Sequence, residues 1–368
     1  MLTITFYLFI GIVAIQLFYY LVVFGKFAFS KIAKNNPKRI PISVIVCAKN
    51  EQENVQKFLP ILAEQDYPDY EIILIDDASS DDTLELLEAF EKQYENIRLV
   101  KVENNEAFWG NKKFALTLGI KAAKKPYLLF TDADCYPVSK DWIKEMSSRF
   151  TLEKTIVLGY GAYEKIAGSF LNKIIRFETM LTAVQYFSWA KMGHPYMGVG
   201  RNLAYKKEEF FNVNGFIDHM KVRSGDDDLF INQAANRKNT TICFSAESFT
   251  YSKPKTSFKE WFTQKRRHVS TAGFYKAFDR LQLGIFYASQ LLFLLLPIIL
   301  LSFQFQWIIV LSLISFRYLF AWITLGFSAG KLKEKDVMYW FPIIEIILIF
   351  TQLNIFLTNI FSKPVHWK

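Results

Sequence analysis

The sequence predicts an α/β fold, a Rossmann-like and mostly parallel sheet, set between apolar helices at both ends of the chain. Three observations carry this expectation. Short β-branched runs alternate with amphipathic stretches from residue 41 onward, the apolar excess is concentrated at the two termini, and the ends of the expected strands are acidic. The 368 residues are 51% hydrophobic and 21% charged, with a mean hydropathy of +0.13. That balance is too apolar for an ordinary soluble protein and excludes both a disordered chain and a purely secreted module.

Taken in order, residues 2–24 carry no charge and are long enough to span a hydrocarbon core, which needs about 20 helical residues. No Lys or Arg precedes this run, and Lys26, Lys31, Lys34, Lys38 and Arg39 follow it with no acid among them. An uncleaved anchor (1–25) and a basic linker (26–40) are therefore expected, with the basic end inside the cell. Residues 42–47, 71–75, 97–102 and 127–131 read as buried strands, and 53–65, 81–94, 112–124 and 139–150 as helices between them. Such a βαβ series builds a mostly parallel sheet covered on both faces. Residues 168–191, rich in aromatic and aliphatic side chains, read as a long amphipathic helix.

Stretches 283–303, 306–327 and 338–360 predict three more membrane helices, with the basic loop 331–336 in the cytoplasm. Arg317 and Glu345 lie within two of them and are costly in lipid, so they are expected to pack against each other rather than to line a transport path. The expected division is an anchor (1–25), a linker (26–40), a cytosolic domain with interfacial helices (41–282), membrane helices (283–361) and a tail (362–368). The net charge of +9 reads as the cytoplasmic flank of a membrane protein, with no nucleic-acid partner. Cys47, Cys135 and Cys243 are widely spaced and odd in number, suggesting neither a disulfide framework nor a zinc site.

Ligands of open α/β sheets bind beyond the carboxyl ends of the strands, and here those ends read Ala48-Lys49-Asn50-Glu51, Asp76-Asp77-Ala78-Ser79-Ser80-Asp81 and Asp132-Ala133-Asp134. Any one of them suits a helix cap or turn, for which Ser80, Asp81 and Ser139 are good residue types; three in register point to a site. Two carboxylates one residue apart can meet a single hard cation, Mg²⁺ or Mn²⁺, which in turn favours substrate phosphates and a diphosphate leaving group. There is no P-loop motif, and Gly198-Val199-Gly200 lacks the third glycine of a dinucleotide fingerprint.

In this order the motifs resemble the membrane-bound glycosyltransferases of family 2, whose GT-A fold is shared with cellulose, hyaluronan and ceramide glucosyl transferases. The resemblance covers residues 41–268 and rests on 41–51, 75–81, Lys112 with Ala115-Leu116, 131–134, 198–205, 225–229 and 264–268. It implies that Ala48, Glu51, Asp76 and Asp77 line the base and ribose pocket of a nucleotide-sugar, with Lys112 near the base or phosphates. Asp132 and Asp134 become the DxD-type pair, Asp134 the more direct metal ligand. Asp226 falls at the position of the catalytic base, and Asp228 supports it locally. The glutamate usual before the base is Gly225 here. Gln264, Arg266, Arg267 and His268 match a Gln-x-x-Arg-Trp segment that serves diphosphate and acceptor, with His268 replacing the tryptophan.

The resulting expectation is an inverting, metal-dependent transferase using a UDP-sugar, or less readily a GDP-sugar. Its acceptor would be a lipid, lipid-linked or growing glycan, and its seat a bilayer, the plasma membrane of a bacterium on the Lys-, Asn-, Ile- and Phe-rich usage. A processive synthase subunit and a catalytically degenerate nucleotide-sugar sensor are the alternatives.

Overall fold

In a computed structural model, residues 1–32, 39–103, 112–222 and 224–362 are described. Lys34 and Lys38 of the expected linker and residues 363–368 of the expected tail lie outside them. The chain forms two compact units, one from Ile32–Lys165 and Gly193–Pro254, the other from Met1–Lys31, Ile166–Met192 and the described residues from Lys255 to Ser362.

The first unit is the α/β body. Its strands are β1 (Ile42–Ala48), β2 (Tyr70–Asp76), β3 (Ile97–Lys101), β4 (Tyr127–Asp132), β5 (Cys135–Pro137), β6 (Ile156–Leu158), β7 (Gly161–Tyr163), β8 (Leu203–Lys206), β9 (Thr240–Ile242) and β10 (Thr250–Ser252). Seven form one sheet in the order β3-β2-β1-β4-β8-β6-β9, and the rest a small sheet, β5-β10-β7. Strands β1 to β4 are parallel, whereas β8 runs antiparallel to both β4 and β6. Strands β1 and β2 are buried along almost their whole length, as expected of parallel strands covered on both faces.

On one face the helix Gln52–Ala63 turns Val55, Leu59 and Leu62, spaced by about one helical turn, onto Val44, Val46 and Leu74. The helix Lys112–Ala122 packs on β1 and β2. It comes so close that a Cβ at Gly119 would stand 2.2 Å from Ile75 Cδ1. All four expected helices are shorter than their patterns, 53–65 and 112–124 by one or two residues, 81–94 as Thr83–Gln93, and 139–150 most of all, as Trp142–Ser147.

The second unit is helical. Leu2–Ala28, Ala277–Ser302, Trp307–Lys331 and Lys335–Phe361 are long and apolar enough to cross a membrane. The first passes through a π-helical stretch at Phe18–Phe24, and the last opens with the 3₁₀ turn Lys335–Trp340. Arg317 and Glu345, both buried, form the expected pair: the guanidinium donates to Glu345 Oε2 at 2.8 Å and Oε1 at 2.6 Å, and to Gln16 Oε1 at 2.6 Å. The Tyr20 hydroxyl donates to Glu345 and Gln16 to Ser289 Oγ, so all four apolar helices share one polar network.

Residues 166–192 and 255–282, expected as interfacial parts of the α/β domain, belong to this helical unit. Ion pairs explain the assignment. Arg176, on the helix Phe170–Lys191, donates to Glu334 at 2.5 Å and Asp336 at 2.7 Å, and Lys265, on the helix Phe258–Thr271, meets Glu178 at 2.5 Å.

Candidate active site

After β1 the chain adds β2 and β3 on one side and then returns to lay β4 on the other, making β1 and β4 the switch point of the sheet. Ligands enter such sheets where the connections diverge in this way. Register carries the expected acids to one edge, since Ala48 pairs with Asp76 and Cys47 with Asp132.

The loops beyond β1 and β2 are laced together. Asp77 N donates to Ala48 O at 2.9 Å, Glu51 N to Thr83 Oγ1 at 2.9 Å, and Ser80 N to Asn50 Oδ1 at 2.8 Å. Asn50 and Ala78 both take left-handed backbone angles, φ 54° and 52°, a conformation uncommon for non-glycine residues and frequent at functional loops. The Asp76 carboxylate receives Ser79 N, and Glu51 Oε2 receives Asn54 Nδ2 at 2.6 Å. Asp77 is buried 3.8 Å from Lys49, and burial raises its carboxyl above the usual range against the pull of that lysine. Asp81, in keeping with a turn role, accepts from Thr83 N at the start of the following helix.

Asp132 closes β4, and the exposed Asp134 follows it. Asp132, Asp134 and Cys135 have ligand atoms within 4.8 Å of one another. The Cys135 thiol, however, donates to Asp134 Oδ1 at 3.4 Å, and burial, then Asp134 and Asp132, push its pKa well up. Sulfur is also the soft donor of the three, which leaves two carboxylates as the hard donor set.

Lys112 joins these acids to the base position. Its ammonium lies 2.5 Å from Asp132 Oδ1 and 3.4 Å from Asp226 Oδ2. Burial works against the charge, but Asp132 and then Asp226 outweigh it and hold the lysine well above its ordinary range.

Behind Asp226, Asp227 is the cap of the helix Asp228–Ala234, accepting from Asp228 N at 2.7 Å and from Gly200 N at 2.6 Å. Burial, and then Asp226 and Asp228, push its carboxyl up to about 7. Among the described residues the buried His219 has no hydrogen-bond partner for Nε2, and burial followed by Lys113 brings it down to about 4.

The structure thus brings Lys112, Asp132 and Asp226 into direct contact, sets Asp134 beside Asp132, and aligns Ala48, Glu51, Asp76 and Asp77 along the same strand ends. Gln264, Arg266, Arg267 and His268 lie on a helix of the other unit. There Arg266 donates to Asn359 Oδ1 at 2.9 Å and Ser362 Oγ at 2.8 Å, a tether to the end of the last apolar helix that the motif did not reveal. Sequence reasoning also missed Asp227, Gly200 and Lys113. Only the Lys-Lys doublet and the triple acid were visible signals for them.

A mixed α/β body with paired acids at its switch point has the architecture of a GT-A fold. Residues 43–225 match the family model for glycosyl transferase family 2, and the chain belongs to that family. Similar curated proteins include the poly(ribitol-phosphate) beta-glucosyltransferase of Bacillus spizizenii, 34% identical over 31% of this chain and 19% of that protein. Glycosyltransferase AglE of Haloferax volcanii is 31% identical over 28% of this chain and 33% of its own length. The chain thus spans a third or less of the length of these relatives. Among solved structures, the mannosyltransferase PcManGT from Pyrobaculum calidifontis, in complex with GDP-Man and Mn²⁺, has a TM-score of 0.61 at 17% identity. It covers 90% of this chain and 98% of that one, a likeness of fold.

Proposed function

We propose that the protein is an inverting, metal-dependent glycosyltransferase that moves a sugar from a UDP-sugar to a hydroxyl of a lipid or lipid-linked glycan at a membrane. What carries the reading is the Lys112 bridge between Asp132 of the acidic pair and Asp226. It puts a candidate base and a candidate diphosphate site within one side chain's reach of each other.

In this reading Ala48, Glu51, Asp76 and Asp77 bind base and ribose, and Asp132 and Asp134 hold Mg²⁺ or Mn²⁺. The two carboxylates fit a hard cation, and the soft sulfur of Cys135 stays outside the ligand set. When bound, the cation supplies charge neutralisation for the departing diphosphate. Asp226 takes the acceptor's hydroxyl proton as the hydroxyl oxygen displaces the diphosphate at the anomeric carbon. Direct displacement inverts that carbon and needs no sugar–enzyme intermediate. Lys112 balances the charge of both carboxylates and keeps the base oriented. By the family resemblance alone, Arg267 serves the diphosphate and Gln264 and His268 the acceptor; within the helical unit Arg266 is tethered to Asn359 and Ser362. With histidine at 268, the aromatic support that a growing polymer would use is absent, which favours single additions. The four apolar helices support an integral membrane protein, and the lysines that follow the first of them favour a cytosolic α/β unit.

The test is thermal stabilisation of the detergent-purified protein by UDP, GDP, dTDP, CMP and NAD, with and without Mn²⁺, beside Asp134→Asn. A nucleotide at about 100 times its dissociation constant adds about 2.7 kcal/mol. The expected outcome is a Mn²⁺-dependent shift with UDP that Asp134→Asn abolishes. A shift with NAD, or none with any nucleotide, would overturn the reading.

A further inference from the structure

Lys113 is only 1% exposed. A lysine is rarely buried so completely, because an ammonium taken from water must recover its hydrogen bonds inside the protein. Here it recovers all three. Its Nζ donates to the carbonyl oxygens of His219 at 2.8 Å, Val222 at 2.9 Å and Ser224 at 2.8 Å, matching the three donors of the group.

Those carbonyls precede Asp226 in the chain, and the last of them is two residues before it. Between Ser224 and Asp226 stands Gly225, at φ 89°, a joint with wide conformational freedom. A carboxylate that follows such a joint is only as well placed as the chain preceding it. The neighbouring Lys112 touches the Asp226 side chain itself at 3.4 Å and Asp132 at 2.5 Å. Both lysines lie in the first turn of one helix, whose Gly119 lets it sit directly on Ile75 of β2. The sheet carrying Asp132 therefore also carries, through this helix, the reference point for the base.

We infer that Lys113 is a positioning residue for the transfer step, clamping the chain at His219, Val222 and Ser224 so that Asp226 stands at a fixed distance from the acidic pair. The inference rests on the reading of Asp226 as the base. Lys113 meets neither donor nor acceptor; it acts through the backbone. Losing it should slow chemistry and leave donor binding, which depends on the ends of β1, β2 and β4, unchanged.

The experiment measures nucleotide release by the full-length protein in detergent with Mn²⁺, from UDP-glucose, UDP-N-acetylglucosamine and GDP-mannose, with water as acceptor. Wild type, Lys113→Met, Lys113→Arg, Asp226→Asn and the double variant Lys113→Met/Asp226→Asn are compared. Lys113→Met is expected to lower kcat about 100-fold, the scale of a misplacement of about 1 Å, with donor KM changed less than about twofold. Lys113→Arg, which keeps the charge and several donors, should recover part of the loss. In the Asp226→Asn background Lys113→Met should cost nothing further, because residues acting as one unit are not additive.

Two results overturn the inference alone: donor KM rising in step with the loss of kcat, or the same fold-loss with and without Asp226. An Asp226→Asn protein that keeps the wild-type rate, or a wild type that releases nucleotide from no donor, overturns the reading beneath it. Should Lys113→Met fail to fold, Lys113→Arg and its double variant with Asp226→Asn are judged by the same criteria.

Discussion

Gly225 occupies the position where the family resemblance leads one to expect glutamate, and the backbone gives a reason. At φ 89° an added Cβ would lie 2.6 Å from Leu229 Cγ and 3.0 Å from Asp228 Oδ1. Non-glycine residues held in sparsely populated regions cost about 1–3 kcal/mol. Both Gly225→Ala and Gly225→Glu should therefore lower stability by at least about that amount, read as a fall in melting temperature; a Gly225→Glu protein that melts with wild type would refute the argument. Asp227 yields a pH prediction. Its folded pKa, about 7, is raised by burial and then by Asp226 and Asp228. The protonated form therefore favours the fold, a contribution fully present below the ordinary carboxylate range, near 4, and lost as pH rises through about 7. Asp227→Asn lacks this titration. It also sets an amide where two backbone N–H groups expect oxygens, at a cost of about 1–3 kcal/mol. The variant should melt well below wild type at pH 5, with the gap narrowing by pH 8; a gap that widens would contradict the assignment.

Among the elements, those carrying the acidic edge were legible and those bracing it were not. Strands β1 to β4 have five to seven residues, enough for a β-branched run to declare itself, and the structure extends three of the four expectations by at most one residue at either end. β5, β6, β7, β9 and β10 have three residues each, too few for any periodicity. With them went the antiparallel turn of the sheet at β8 and the small second sheet. Asp132 and Asp134 could be picked out because their spacing is local, and Asp226 only through the family resemblance. The Lys113 clamp joins residues more than 100 positions apart, and no spacing rule reaches that far. The apolar helices show the opposite case, in which two isolated charges in the sequence implied their own contact. Removing one partner of a buried pair costs about 3–5 kcal/mol, because the other is left uncompensated. Arg317→Met or Glu345→Leu alone should thus destabilise the helical unit by about that amount in detergent unfolding. The double change should cost clearly less than the sum, and strict additivity would mean that the two residues do not act as a pair.

At the scale of the whole molecule, the distribution of charge predicts which side of the bilayer each segment faces. Lysines follow the first apolar helix at Lys26 and Lys31 and return at Lys331, Lys333 and Lys335 between the third and fourth, whereas the turn at 303–306 between the second and third carries none. Positive residues stay on the cytosolic side. The first helix should therefore run inward, the α/β unit should lie in the cytosol where nucleotide-sugars are made, and the 303–306 turn should face outward. Cysteine labelling can test this because Cys135 and Cys243 are buried, and Cys47 is half-buried in the α/β unit, so the native background should be low. Gln304→Cys, at an exposed position, should react with a membrane-impermeant maleimide on intact cells. Lys333→Cys, also exposed, should react only after permeabilisation. The reverse pattern would place the acidic strand ends away from any nucleotide-sugar and would remove the donor assignment along with the orientation.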